Sequence, residues 1–398
     1  MFFASTHESL MFALGLLHSS VAPYFLGILC PTVDFNPGDL SRIPVIGLES
    51  NLQAVSEAVE SLVRQAKESW DSLETSWDYS RHPLLSFADE GATLAGAFEK
   101  YVAQCERRLT ETTALEVRNN TLFIHAYGLD AELSPAVTED QITLVRADRD
   151  RDSRRLISHA IGCMMGRYSL DEPGLIYAHA GNLEFDATRY IRFPADSDGI
   201  VPLTDERWFE DDAAGRVREF LCAAWGGETL EVNMAWLAES LGVKGSETPE
   251  EAIRRYLFER FFKDHLQSYK RRPIYWLFSS GKLGAFQAVV YLHRYHEGML
   301  ARLRAEYVVP LIAKLIARLE MLEKDAGVAS STAGRAKIQK QIDSLRKKQI
   351  ELLAYDEKLR HYADMRIELD LDDGVRVNYG KFGDLVAEAK LVVGNSDE

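Results

Sequence analysis

The chain has 398 residues, 46% hydrophobic and 27% charged, a composition that excludes an intrinsically disordered protein and allows two or three domains. Its formal net charge of −15 excludes a protein that wraps nucleic acid over its whole surface, because such binding needs cations at the phosphates. The four cysteines (Cys30, Cys105, Cys163 and Cys222) form no C-x-x-C pair. Their spacing argues against a zinc ribbon or a secreted disulfide framework and favours the reducing cytoplasm.

The N-terminal region contains an apolar stretch, residues 10–30, that is about long enough to span a bilayer. His18 and Pro23 interrupt its middle, and no Lys or Arg precedes Arg42, so a positive flank is missing. We therefore predict a buried helix and no membrane association. The following "RIPVI" at 42–46 predicts a short strand.

Two helical patterns come next. Residues 52–70 carry an apolar stripe at helical spacing, and Ser50 with Gln53 predicts a capping box before it. Residues 91–120 form a second helical pattern, and the polar "SWDYSRHP" at 76–83 predicts the turn through which this helix folds back on the first.

The run "LISHAIGCMMGRYSL" at 156–170 is typical of a tightly packed helix and turn. Apolar residues from Leu156 to Met165 predict its buried face, with Ser153 as the helix cap, and Gly162 and Gly166 lie on a small-residue groove. His159 and Cys163 have the i, i+4 spacing of metal ligands, but zinc needs three or four ligands and no second pair stands nearby. We predict no metal site.

Residues 171–250 hold 6 Lys and Arg against 17 Asp and Glu, whereas residues 251–300 hold 9 against 4. In the basic stretch, Thr248 caps a helix predicted to run to about Tyr269, and a β-hairpin follows Pro273. Aromatic residues interleaved with the cations could stack on bases, and an amphipathic helix with cations at its edge is an equally good interpretation. The candidate DNA-binding residues are Lys263, Lys270, Arg271, Arg272 and Lys282.

Residues 299–363 contain two apolar heptad-like seams joined by "KDAGVASSTAGR", which predicts an antiparallel helical hairpin of coiled-coil type. In its second arm and just beyond, we expect Lys358, Arg360 and Arg366 to pair with the neighbouring acids Asp356, Glu357 and Asp364.

Four long runs carry a family resemblance. They are "LISHAIGCMMGRYSLDEPGLIYAHAGN", "DGIVPLTDERWFEDD", "RRPIYWLFSSGKLGAFQAVVYLHRY" and "LLAYDEKLRHYADMRIELDLDDGVRVNYGKFGDL". The chain resembles the C-terminal part of the BREX phage-exclusion adenine-specific DNA methyltransferases, the PglX family. The resemblance extends over most of residues 1–394, with departures at Val33, Asp34, Asn36 and Pro37 in a stretch similar to the end of the target-recognition region.

The fold class that we predict is α+β and predominantly helical. The resemblance and the patterns together predict five segments: the end of a target-recognition region (1–48), a helical spacer (49–118), a mixed domain with a β-hairpin (119–298), the helical hairpin (299–363) and a tail segment (364–398). Double-stranded DNA, the methyltransferase catalytic domain and other BREX proteins are the partners that the resemblance implies.

The family's chemistry needs S-adenosylmethionine, a Gly-rich loop to hold it and an Asn/Asp-Pro-Pro-Tyr/Phe loop around the flipped base. Neither loop occurs in this sequence, so we predict that the chain by itself has no catalytic or cofactor-binding residues and is inactive alone. Two alternatives stay open: a protein-interaction scaffold without DNA binding, and a nuclease using Glu388 and Lys390 with Asp372. The nuclease is disfavoured because "KFGDLVAEAK" lacks a strand context.

Overall fold

The structure is a computed structural model that describes residues 6–30, 36–46, 52–89, 91–329 and 331–394. It divides into two compact units, the first of residues 1–76 and 99–147 and the second of residues 77–98 and 148–398. Val33, Asp34 and Ser50, which figure in the sequence predictions, lie outside the described residues.

The first unit is helical. Its helices are α1 (His7–His18), α2 (Val21–Leu29), α3 (Pro37–Leu40), α4 (Leu52–Asp71) and the part of α5 (Leu94–Ala126) that follows Phe98. A single apolar core joins them, in which Phe12 and Phe123 meet edge to face with ring centroids 5.3 Å apart. Gly15 lets α1 approach α4 closely, because a Cβ at this position would lie 2.9 Å from Val59 Cγ2.

The prediction of one N-terminal helix is wrong in detail, because the stretch forms two helices that are bent by 68° at Ser19 and Ser20. Ser19 ends α1 by donating its hydroxyl to the Leu16 carbonyl at 2.7 Å. No single helix within the described ranges is long and apolar enough to cross a membrane, and only the bent pair α1 and α2 reaches that length and composition jointly.

Both helices predicted in this region are present, as α4 and α5, and they pack antiparallel. Gln65 and Glu68 of α4 contact Thr112 and Arg108 of α5, the second pair at 3.0 Å. The predicted segment boundary at residue 118 falls inside α5. The predicted strand at 42–46 does not form; instead the Pro44 carbonyl accepts a hydrogen bond of 2.5 Å from the Tyr127 hydroxyl.

The segment predicted as a polar turn between α4 and α5 belongs, from Trp77 onward, to the second unit and is not solely a turn. Tyr79 and His82 are buried, and Tyr79 Oη shares a hydrogen bond of 3.0 Å with His159 Nδ1. A 3₁₀ helix, Pro83–Phe87, follows. Because most of this stretch is polar, its sequence pattern did not indicate that these two aromatic side chains are buried.

The second unit combines helices with a small sheet. Its further helices are α6 (Arg149–Met164), α7 (Ala213–Trp225), α8 (Leu230–Leu241), α9 (Pro249–Glu259), α10 (Phe261–Ser268), α11 (Met299–Arg302), α12 (Val309–Val328), α13 (Thr332–Asp364), α14 (Gly374–Gly380) and α15 (Ala389–Val393). The strands β1 (Ile200–Pro202), β2 (Tyr275–Ser279) and β3 (Gln287–Tyr291) form an antiparallel sheet in the order β1-β3-β2. The predicted hairpin and the predominantly helical α+β class are confirmed, whereas β1 was not predicted.

Helix α6 has the predicted buried face but a different cap. Asp148 accepts a hydrogen bond of 2.7 Å from the Arg151 N–H, and Ser153 lies buried inside the helix. The helix ends in a Schellman motif, in which Arg167 N–H bonds to the Gly162 carbonyl and Gly166 has a φ of 75°. Glycine is favoured at this position because it has no Cβ to clash in the left-handed conformation.

The helical hairpin is formed by residues from Met299 to Asp364. Its first arm comprises α11, a π-helical turn (Leu303–Val308) and α12, and its second arm is α13. Pro310, which cannot donate a backbone hydrogen bond, follows the π-helical turn closely. Ion pairs Arg304–Asp356 at 2.7 Å and Glu323–Arg346 at 2.8 Å join the arms in antiparallel register.

Candidate nucleic-acid interface

The basic stretch folds as two helices where one was predicted. Thr248 caps α9 as expected, with its N–H donating to Glu251 Oε2 at 2.7 Å. The helix ends at Glu259, because Arg260 leaves the helical conformation with a φ of −127°, and α10 begins at Phe261. The break separates the cations of α9 from those that follow α10.

The arginines of α9 form ion pairs with carboxylates of the same unit. Arg254 is buried against Asp212, which is also buried, and a second bond of 3.2 Å joins it to Glu250. Arg255 pairs with Glu247 at 2.7 Å and thereby lowers the pKa of that carboxyl to about 2. These two arginines therefore neutralise part of the acidic 171–250 segment and are not available to phosphates.

The cations after α10 are placed differently. Lys270, Arg271 and Arg272 are consecutive and exposed, and none forms an ion pair with another residue that the structure describes. We call these three residues the basic turn. Their side chains can therefore reach phosphate oxygens without first breaking an internal contact.

The basic turn has an unfavourable backbone conformation. Lys270 and Arg271 have φ values of 50° and 61°, the left-handed region that favours glycine, and their N–H groups bond to the carbonyls of Gln267 and Leu266 at the end of α10. An L-residue in this conformation costs roughly 1–2 kcal/mol. Strained residues of this kind tend to cluster at functional sites, which supports a role for these two cations beyond the turn itself.

The five candidate DNA-binding residues do not form one cluster. Lys263 lies on the exposed face of α10, two turns before the basic turn. Lys282 lies in the loop between β2 and β3, at the opposite end of β2 from Arg272. A five-residue strand separates its ends by roughly 13 Å, so Lys282 lies apart from the basic turn.

The loop that carries Lys282 is shaped by Glu351 of α13, a residue that sequence reasoning missed. Its carboxylate accepts hydrogen bonds from Ser280 Oγ at 2.8 Å, Leu283 N–H at 2.8 Å and Ala285 N–H at 3.1 Å. Because Glu351 is more than 60 residues away in sequence, no local pattern could have indicated this contact. The helical hairpin thus holds the position of the loop.

Three of the aromatic side chains among these cations are part of the core, whereas Phe258 and Tyr269 are half-buried. Tyr256, Phe261 and Trp276 are buried, and Trp276 Nε1 donates to the Pro273 carbonyl at 3.0 Å. The interpretation of these three residues as stacking platforms for bases is therefore wrong, because a base would have to displace the core of the unit to reach them. These three side chains pack in the core of the second unit.

The stretch around His159 is packed without room for a ligand. His159 and Cys163 are buried with Nε2 and Sγ 3.6 Å apart, and burial lowers the pKa of the imidazole to about 3. A Cβ on Gly162 would lie 2.5 Å from the Tyr168 ring. In the described part of the chain, no three His, Cys, Asp or Glu side chains are grouped as a metal site would require.

The elements of the nuclease and cofactor hypotheses can also be located. Glu388 has a left-handed backbone before the short helix α15, which carries Lys390, so the pair does not lie on a strand. Among the described residues the sheet is antiparallel and has no parallel strand followed by a Gly-rich loop and a helix, the arrangement that commonly holds nucleotide cofactors.

The basic residues near the end of the hairpin have carboxylate partners other than those expected. Lys358 pairs with Asp384, and Arg366 pairs with Glu297 at 3.1 Å. Asp356 instead pairs with Arg304. Arg360 is exposed and forms no ion pair within the described ranges.

The fold and surface described above define a predominantly helical module with a small antiparallel sheet and an exposed basic turn. The chain is 41% identical over 97% of its length to the adenine-specific methyltransferase BrxX of Escherichia coli O9:H4 (strain HS). It is 40% identical over 95% of its length to the adenine-specific methyltransferase PglX of Lacticaseibacillus casei (strain Zhang). The resemblance to PglX-family methyltransferases is therefore confirmed.

The chain spans about a third of the length of these two curated relatives, 33% of the first and 32% of the second. No family model matches the chain. The extent of the match agrees with a part of such a methyltransferase.

Proposed function

We propose that this chain is the C-terminal, DNA-gripping and scaffolding portion of an adenine-specific DNA methyltransferase of a BREX phage-defence system. The observation that carries the proposal is the basic turn, in which three consecutive cations stand exposed and unpaired among the described residues, two of them in a strained backbone. Backbone strain of this kind clusters at functional sites, and exposed cations are the groups that contact phosphates, so the two observations together support a phosphate contact.

The proposed contact is with the phosphate backbone of duplex DNA and not with its bases. The basic turn and Lys282 lie at opposite ends of β2, so they would engage phosphates separately. Guanidinium and ammonium groups bind phosphate strongly but carry no sequence information by themselves. The chain would hold DNA beside a catalytic domain that carries the cofactor and base-flipping loops.

The helical hairpin is the scaffolding element in this proposal. Its second arm positions the Lys282 loop through Glu351, and both arms expose apolar side chains, including Ile316 at 41% and Ile350 at 70%. An exposed apolar helix surface is typical of a protein contact. We propose that the hairpin docks the catalytic domain or another BREX protein.

The alternative function is a protein-interaction scaffold that does not bind DNA. The net charge of −15 favours it, because the acidic surface opposes long-range attraction of a polyanion. Only a local contact can then overcome the repulsion, and such a contact is strongly weakened by salt.

The two functions are separated by fluorescence anisotropy of a labelled duplex titrated with the chain at low and at physiological ionic strength. We expect binding at low salt that weakens steeply as salt increases and differs little between sequences. If the chain shows no affinity for duplex DNA at low salt, the DNA-gripping function is refuted and the scaffold function is supported. Co-purification with a separately expressed BREX methyltransferase catalytic domain tests the docking role in either case.

A further inference from the structure

The first unit contains a cavity of about 550 Å³ that the proposed function does not use. Helices α1, α2, α4 and α5 and the segment 136–144 surround it, all within the same unit. Its walls are mainly apolar side chains: Leu14, Pro23, Val59, Leu62, Val63, Ala66, Val137, Ile142 and Leu144. This size and lining are typical of sites for small organic ligands.

One carboxylate in the cavity has no partner of its own. Glu116 is half-buried in the wall, and no hydrogen bond or ion pair joins it to another described residue. Burial raises the pKa of its carboxyl, an effect that the neighbouring imidazole of His18 opposes. A half-buried carboxylate without a direct ion pair or hydrogen bond is unfavourable, and the imidazole of His18 offsets this only in its protonated form, so the wall is complementary to a cation.

Two further acceptors line the same cavity. Asn119 is only 2% exposed, and its Nδ2 donates to the Gly15 carbonyl at 2.9 Å while its Oδ1 accepts no hydrogen bond. The buried Oγ of Ser20 also has no hydrogen-bond partner within the described ranges. Buried polar atoms are almost always paired in folded proteins, so two such atoms on residues that line the same cavity as Glu116 point to a missing donor.

We propose that this cavity binds a small amphipathic amine. Its ammonium group would donate to the Glu116 carboxylate, with Asn119 Oδ1 and Ser20 Oγ as the further acceptors, since an ammonium carries three N–H donors. The apolar body of the ligand would lie against the aliphatic walls contributed by α1 and α4. An anionic ligand of the same shape is excluded by charge repulsion from Glu116.

The site is independent of the DNA contact, because every lining residue belongs to the first unit and the basic turn belongs to the second. A ligand here would therefore be recognised whether or not the chain binds DNA. Failure of either proposal leaves the other standing.

Three probes with one body and different heads test the site: 4-phenylbutylamine, 4-phenylbutanol and 4-phenylbutyrate, measured by calorimetry and ligand-observed NMR on the full chain at pH 8. We expect the amine to bind about tenfold more tightly than the alcohol, since a charge-assisted hydrogen bond is roughly twice as strong as a neutral one. The butyrate is expected to bind least.

Glu116→Gln should abolish the preference for the amine and leave binding of the alcohol, which shows that the variant still folds and keeps the cavity. Glu111→Gln removes an exposed carboxylate from the same helix and should change nothing. Ala66→Trp, which fills the cavity from an exposed helix position, should prevent binding of all three probes. The proposal is overturned if wild type binds none of the probes, if it does not prefer the amine, or if Glu116→Gln retains that preference.

Discussion

Replacing Lys270, Arg271 and Arg272 together by Ala should weaken DNA binding by an amount that depends on salt. Each cation that binds a phosphate contributes about 0.9 to the slope of log affinity against log salt, so three contacts contribute about 2.7. Over a fourfold increase in salt, the wild-type chain should lose about fortyfold more affinity than the variant. The loss at low salt should be similar for every duplex sequence, because phosphates are common to all of them.

The assay is anisotropy of a labelled duplex at four or more salt concentrations. A matched control removes the same charge from three exposed cations that each pair with a carboxylate, Arg346, Lys358 and Arg366. Their side chains are held by internal partners, so the control should keep the wild-type slope. Equal slopes for wild type and the basic-turn variant would refute the reasoning, as would an equal change in both variants.

A pair of single substitutions separates charge from backbone strain in the same turn. Lys270→Ala and Lys270→Gly both remove the cation, so they should weaken DNA binding equally. Glycine tolerates the φ of 50°, and the glycine variant should be more stable than the alanine variant by about 1 kcal/mol in urea denaturation. Different affinities for the two variants would show that strain, and not charge alone, governs binding.

Three further predictions concern the second unit. Gly162→Leu should destabilise the chain by about 1–3 kcal/mol or more in thermal or urea denaturation, because its side chain would overlap the Tyr168 ring, and metal content by elemental analysis should not change. Glu351→Ala should cost about 1–3 kcal/mol and speed amide exchange in the Lys282 loop, because the loop N–H groups lose their acceptor; unchanged exchange at Leu283 would contradict this. Burial, together with a hydrogen bond that the protonated Asp198 carboxyl donates to the Asp196 carboxylate, raises the pKa of Asp198 to about 7 in the folded state, above its ordinary 3.8, so protonation favours the folded state. The free energy of unfolding of wild type, relative to that of Asp198→Asn, should therefore be highest near pH 4 and should fall as the pH rises through about 7. The histidines titrate in both proteins, so their contribution cancels in this difference.

Local patterns were sufficient for the long helices and for the hairpin of β2 and β3. Helical periodicity located α4, α5 and both arms of the helical hairpin, because each element buries one continuous apolar face. The capping box at Thr248 correctly predicted the start of α9, because all of its atoms lie within four residues of sequence. The end of that helix depended on the packing at Arg260, which no local signal shows.

Burial of polar and aromatic residues required the tertiary structure. Tyr79 lies in a polar stretch, yet its hydroxyl reaches His159, 80 residues away. The sequence pattern around Trp276 allowed a base-stacking role, but in the structure its side chain is buried. Strand β1 was missed because three residues ending in a proline carry too weak a periodicity, and its pairing with β3 is a contact across 90 residues of sequence.

For the candidate interface, the sequence determined which residues are basic and that they are concentrated after residue 250. The tertiary structure decided which of them are available, because an ion pair depends on what chain folding brings within reach. Arg254 and Arg255 have the same charge as Lys270 and Arg271, but carboxylates that include Asp212, 42 residues earlier in the chain, hold the first two internally. The basic turn, whose backbone leaves α10 in the left-handed conformation, stays exposed because the fold brings no carboxylate partner to it among the described residues.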